Sequence, residues 1–105
     1  MSGSRSRSKG KRGEAEISRI LTDRGISHDR LLDGRHQVHG DILAGDLALE
    51  VRRREKVAIT RWSADHEAEV PAHLTPAVVY RSNGQPWRVS LTLDDFLDLV
   101  EAARS

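Results

Sequence analysis

The sequence predicts a mixed α/β domain in the order helix, strands, helix, strands, helix. Three observations carry that expectation. Apolar residues recur at helical spacing near both ends of the chain, in EAEISRIL and DDFLDLV, whereas the middle shows short apolar runs with two-residue alternation, as in LALEV. Asp-Gly, Gly-Asp and Asn-Gly pairs separate those runs and supply turns. The length, 105 residues without an internal repeat, suits one modest hydrophobic core and a single domain.

Residues 1–13, MSGSRSRSKGKRG, carry five basic side chains and no acid. Ser, Gly and Arg without large apolar residues bury too little surface to offset chain entropy, so residues 1–10 are expected to form a disordered basic arm when unbound. Contact with a polyanion and a solubilising tail are both open uses for it. The folded domain then occupies 11–105. Its first helix is expected over about 12–24, with Ile17, Ile20 and Leu21 on one stripe and Gly25 as the stop. Glu14 and Glu16 flank that stripe near the expected N-terminus, where either would also complement the helix dipole.

Strands are expected near 27–32, 38–43, 47–53 and 56–59. In the third, Leu47, Leu49 and Val51 face one way, and Ala48, Glu50 and Arg52 face the other. ITRWSADHEAEV reads as a short helix capped by Thr60 or Ser63 and stopped by Pro71. AVVYRSNGQPWRVSL reads as a hairpin around Asn83-Gly84. The last helix sets Phe96, Leu97 and Val100 on one side, with Thr92 as its cap.

Composition narrows the chemistry. The chain has no cysteine, which removes disulfides, thiol catalysis and thiolate zinc sites together. No apolar run approaches the roughly 20 residues that span a bilayer, and no signal peptide is visible, so a soluble, cytoplasmic protein is expected. Net charge is only +1, but the C-terminal LDDFLDLVEAARS holds four acids against one arginine, opposite in sign to the N-terminus.

Asp41 and Glu50 stand on adjacent expected strands joined by a tight turn, so their carboxylates can converge. Two convergent carboxylates suit a hard cation such as Mg²⁺, which takes one or two protein carboxylates and draws its other ligands from water and phosphate. Such an ion can polarise a phosphodiester and activate water. The competing reading pairs both acids with Arg52, Arg53 and Arg54 on the surface. His36, His39 and Asp41 form H-x₂-H-x-D, a weak zinc pattern without a third His or Cys at ligand spacing. His28 is either near the site or a strand cap. Trp62, beside Arg61, either stacks on an unpaired base or packs in the core. Tyr80, Trp87 and Phe96 read as packing residues.

Taken in order, KGKRGEAEISRILTDRG, GDILAG and ALEVRR resemble the archaeal-type Holliday-junction resolvases of the PD-(D/E)xK nuclease superfamily, as a short phage-like member. In that family a basic N-terminus leads into a helix with an early Glu, then an Asp-apolar-apolar-Ala-Gly segment, then a strand ending in Glu-x-Lys. The resemblance covers about residues 9–56. It implies a restriction-endonuclease-like mixed sheet flanked by helices and a metal-dependent endodeoxyribonuclease for four-way DNA junctions. It also implies Glu14, rather than Glu16, with Asp41 and Glu50 as ligands for Mg²⁺, with Mn²⁺ as a substitute. Lys9, Lys11, Arg12, Arg53, Arg54 and Lys56 become contacts to branched double-stranded DNA, and paired nicks on opposing strands imply a homodimer.

Two departures stand out. The stretch between Asp41 and Glu50 is short, and Arg52 occupies the position of the family's lysine. Arginine does not release its proton at neutral pH, so Arg52 would steady the scissile phosphate as a fixed charge, with Lys56 as the alternative cation. A nuclease for flaps, nicks or other branched DNA, and a DNA-binding protein that does not cut, are the alternatives.

Overall fold

The longest alternating run forms the middle of the sheet. In the computed structural model, which describes residues 2–31 and 40–104 with side chains from residue 12 onward, LALEVRR becomes β3 (Leu47–Arg53). Its neighbours are β2 (Ile42–Ala44), antiparallel, and β4 (Thr75–Arg81), parallel. The edges are β1 (Asp29–Arg30) beside β2 and β5 (Arg88–Ser90) beside β4, giving a five-stranded mixed sheet in the order β1-β2-β3-β4-β5. The helices are α1 (Ser2–Asp23), α2 (Ile59–Glu69) and α3 (Leu93–Ala103). This is an α/β fold.

Alternation in β3 sorts the two faces. Leu49 and Val51 are buried with Ile17 of α1, Ile42, Ala77 and Val79, and Leu21, Leu47, Trp87 and Leu91 cover the rim of that core. Ala48 and Val78 are buried too, and His66 of α2 is buried with its ring bonded to Ala48. Full burial of a side chain such as Ile42 or Val78 contributes roughly 1.5–3 kcal/mol. A parallel neighbour cannot be reached by a tight turn, so the chain crosses over through α2 between β3 and β4. Gly45, at φ 59°, takes the left-handed conformation in the two-residue turn that pairs Ala44 with Leu47.

Alpha1 lies close over the sheet because Gly13 has no side chain: a Cβ there would stand 3.3 Å from Val51 Cγ1 and 3.4 Å from the Trp87 ring. The acids that follow Gly13, Glu14 and Glu16, are thereby carried down to the strands. The helix begins at Ser2, ten residues before the expected start at 12, so neither acid sits at its N-terminus and the dipole reading of both is set aside. Glycine weakens a helix without breaking it and Arg and Lys are good helix formers, so nothing in 10–12 ends the run.

Several local expectations change in the same way. Of the strand expected over 27–32, only Asp29–Arg30 pairs, and the one expected over 38–43 is found at Ile42–Ala44. Leu32 and Val38 lie outside the described residues, as do His36 and His39 of the zinc pattern. Residues 56–59 form no strand: the ladder ends where Arg54 N donates to Arg81 O at 3.2 Å, and α2 starts at Ile59. Neither Thr60 nor Ser63 caps α2, whose N-cap is Ala58 without a side-chain bond; Ser63 instead meets Ser90 at 3.0 Å, tying α2 to β5. The stop before Pro71 is as expected, with Val70 extended. Thr92 does cap α3, accepting from Asp95 N at 3.1 Å. Phe96, assigned to packing by sequence, is 50% exposed. Among the described residues no helix is long and apolar enough to cross a membrane.

Candidate active site

Asp41 is fixed by backbone on both sides. Leu31 N donates to its carbonyl at 2.8 Å and its own amide donates to Leu49 O at 2.7 Å, so the residue bridges the segment after β1 and the middle of β3. Its side chain turns inward to accept from Val51 N at 2.7 Å through Oδ2. Gly40, at φ 143°, admits the chain there, since a Cβ would stand 3.1 Å from Leu49 O.

Asp41 is the hub of an acidic cluster. Burial raises the Glu14 carboxyl from its ordinary 4.5 to about 7, helped by a side-chain hydrogen bond and charge repulsion from Asp41 and opposed by the Arg30 guanidinium. Burial likewise raises Glu50 to about 7, with repulsion from Asp41 next and Arg52 pulling the other way. Acids from α1, the start of β2 and β3 therefore share one field, and a proton relieves their repulsion when no cation is present. Between Glu14 and Glu16, the structure assigns the cluster to Glu14.

Glu16 belongs to a different group. Arg53 Nη1 donates to its Oε1 at 3.1 Å, Trp87 Nε1 donates to Oε2 at 3.0 Å, and Arg81 Nη1 lies 3.5 Å from Oε2. The Arg81 guanidinium also sits 5.5 Å over the Trp87 ring. Arg53 is thus tied to Glu16 and is not a free cation for a phosphate. Glu16→Ala leaves two half-buried guanidinium groups and an indole without their acceptor, which should lower stability by about 2 kcal/mol in a urea titration. A change within experimental error would show that solvent replaces the carboxylate.

Around Glu50 the structure keeps Arg52, the neighbour the sequence pointed to, and adds His66, which it did not. Arg52 Nε is 3.5 Å from Glu50 Oε1, and its guanidinium lies 5.8 Å over the ring of Trp62. Trp62 is therefore a platform for Arg52, an arrangement that neither base stacking nor core packing had anticipated. His66 Nδ1 is 3.6 Å from Glu50 Oε2, while Nε2 donates to Ala48 O at 2.7 Å. A carbonyl only accepts, so Nε2 carries a proton. Trp62 and His66 are four apart on α2 and share a face, the one signal that could have drawn His66 to the site. Arg30 gave no signal, because β1 is only two residues long.

The remaining candidates are peripheral. His28 caps no strand: its Nδ1 donates to Ile26 O at 2.9 Å and Nε2 meets Ser18 Oγ at 2.6 Å. Arg12 is exposed, and Arg54 donates to Arg53 O at 3.1 Å. Lys9 and Lys11 fall on the backbone of α1. Lys56 lies in an exposed loop past the end of β3.

Raised carboxyl pKa values have a sign in stability. Between 4.5 and about 7 the native state holds protons on Glu14 and Glu50 that the unfolded chain has lost, so stability falls as pH rises through that window and levels off above it. In metal-free buffer the melting temperature should be lower at pH 8 than at pH 5.5, and Asp41→Asn should shrink the difference. An equal difference in that variant would leave burial of the two glutamates, without Asp41, as its origin.

Among the described residues no three His, Cys, Asp or Glu side chains are arranged as a ready metal cage. The acids nonetheless act on one another: after burial, Asp41 raises both Glu14 and Glu50, while its own Oδ2 accepts from Val51 N and Glu50 lies beside the Arg52 guanidinium. The donors are all hard oxygens, and Mg²⁺ needs only one or two protein carboxylates, so the set fits that ion. No protein-family model, curated protein or solved structure was found to match this chain.

Proposed function

We propose that the chain is a Mg²⁺-dependent endodeoxyribonuclease that cuts branched DNA, four-way junctions in particular, on a restriction-endonuclease-like core. The observation that carries this reading is that Asp41 acts on both Glu14 and Glu50, three acids distant in sequence, with Arg52 beside Glu50. The order of elements supports it as well: helix with Glu14, segment with Asp41, and strand with Glu50-x-Arg52 follow one another as the resemblance implies.

Asp41, with Glu50 or Glu14, would hold the ion. Bound there, Mg²⁺ supplies positive charge that polarises a phosphodiester oxygen and stabilises negative charge in the displacement. Arg52, propped on Trp62, presents a planar guanidinium that can take two oxygens of the scissile phosphate and never loses its charge. His66 Nδ1 lies 3.6 Å from Glu50 Oε2 and lines the buried side of that carboxylate. Arg12, Arg54, Lys56 and the basic side chains on the first turns of α1 supply backbone contacts, which dominate affinity and weaken with salt. Arg53 drops out of that set because Glu16 holds it.

The test is incubation of the protein with labelled four-way, flap and linear duplex DNA, with Mg²⁺ and with EDTA. Junction cleavage that requires Mg²⁺ is expected. Binding without cleavage under any metal or pH would replace the enzyme with a DNA-binding protein, and preference for flaps would move the substrate within the same chemistry.

A further inference from the structure

A cleft of about 330 Å³ opens where β4 turns into β5, lined by Tyr80, Arg81, Ser82, Gln85, Arg88 and, from the loop before α2, Val57. Strand register ties it to the candidate active site. Arg52 of β3 pairs with Tyr80 of β4, and Tyr80 pairs with Arg88 of β5, so the three stand in one row across the sheet on the face that carries Glu50. With neighbouring strands about 4.8 Å apart, Arg88 leaves the backbone roughly 10 Å from Arg52. Among the described residues no acid lines the cleft. Arg81 is engaged by Glu16 and lies over Trp87, whereas Arg88 is exposed and has no ion pair among the described residues. Arg88 is therefore the cation open to an incoming anion.

We infer that this cleft receives one unpaired nucleotide of the strand being cut, with its base against the Tyr80 ring and its phosphate on Arg88, next to the scissile phosphate at Arg52. The inference rests on the nuclease reading of Arg52. Size and lining select the ligand. The volume is at the small end of ligand pockets, enough for one nucleotide and too little for a base pair. The Tyr80 ring offers a stacking surface that any base can use, and the Ser82 hydroxyl and Gln85 amide offer donors and acceptors to a base edge. A base inside a duplex is paired and stacked, so it enters such a cleft only where pairing is already lost, as at a branch point. Tyr80, assigned to packing by sequence, becomes the residue by which the site distinguishes an open strand from a paired one.

Fluorescence anisotropy with the full chain in EDTA reads this independently of cleavage. The probes are a labelled thymidine pentanucleotide, an abasic strand with the same phosphates, and a fully paired duplex. Wild type should bind the pentanucleotide roughly tenfold or more tighter than the abasic strand, because stacking on an aromatic ring is lost with the bases. Tyr80→Ala should erase that preference with little change in duplex affinity, and Tyr80→Phe, which keeps the ring, should retain it. Arg88→Ala, at an exposed position that leaves the fold intact, should flatten the salt slope on the pentanucleotide by about 0.7. If Tyr80→Ala does not fold, the Arg88→Ala slope decides, and an unchanged slope overturns the inference. A wild type that binds duplex without preferring the pentanucleotide to the abasic strand overturns it while the nuclease reading stands. A preference that survives Tyr80→Ala overturns it by placing the base elsewhere. Failure to bind any of the three probes overturns the inference and the nuclease reading together.

Discussion

Asp41→Asn should lower the rate of Mg²⁺-dependent junction cleavage by roughly 100- to 1000-fold or more, while leaving the fold and junction binding largely intact. The asparagine keeps an oxygen to accept from Val51 N, now 2.7 Å away, so the backbone around the site retains its bond. What it loses is the negative charge at the hub of the cluster, and with it Asp41's share of the upward pressure on Glu14 and Glu50, whose larger cause is burial. Glu50→Gln and Glu14→Gln should fall in the same class. Glu16→Gln should cut at a near-normal rate, because Glu16 serves the Arg53, Arg81 and Trp87 cluster. Single-turnover cleavage alongside a binding titration separates chemistry from affinity. Normal cleavage by Asp41→Asn would end the metal-site reading, and loss in Glu16→Gln with retention in Glu14→Gln would exchange the two helix acids.

The next largest effect concerns Arg52. Arg52→Ala should lose roughly 100- to 1000-fold in rate, or about 3–4 kcal/mol of transition-state stabilisation, because a preorganised charge beside the phosphate disappears. Arg52→Lys should retain substantial activity, since a cation still leaves β3 on the face of Glu50. Trp62→Ala should lie between wild type and Arg52→Ala: the guanidinium survives but its platform does not, and Nε makes no hydrogen bond that would hold it in place. Rates measured from pH 6 to 9 decide the role. A fixed charge adds no titration of its own, whereas proton transfer would make the lysine variant faster and give it a new pH dependence. Normal cleavage by Arg52→Ala with a dead Lys56→Ala would hand the role to the loop lysine.

Short-range physics was legible in the sequence. Alternation in LALEVRR gave β3 its bounds and its two faces, Gly45-Asp46 gave the tight turn before it, Pro71 ended α2, and Thr92 capped α3. Each of these depends on a few neighbouring residues, which is why a single chain read in order reveals them. The pairing of Asp41 with Glu50 followed from the same hairpin. Choosing Glu14 over Glu16 did not follow from periodicity, since both flank the apolar stripe.

Tertiary structure decided the rest, because each remaining feature needs two segments to meet. Gly13 lets α1 approach Val51 and Trp87, and that approach sends Glu14 to Asp41 and Glu16 to a pair of arginines from β3 and β4. The crossover through α2 places Trp62 under Arg52 and His66 behind Glu50, contacts invisible in a sequence where those residues are ten to sixteen positions apart. The apolar stripe of α3 was visible as a pattern, but a pattern says only which residues share a face. Whether the domain's own sheet covers that face depends on where the chain leaves β5, and it leaves with the stripe uncovered.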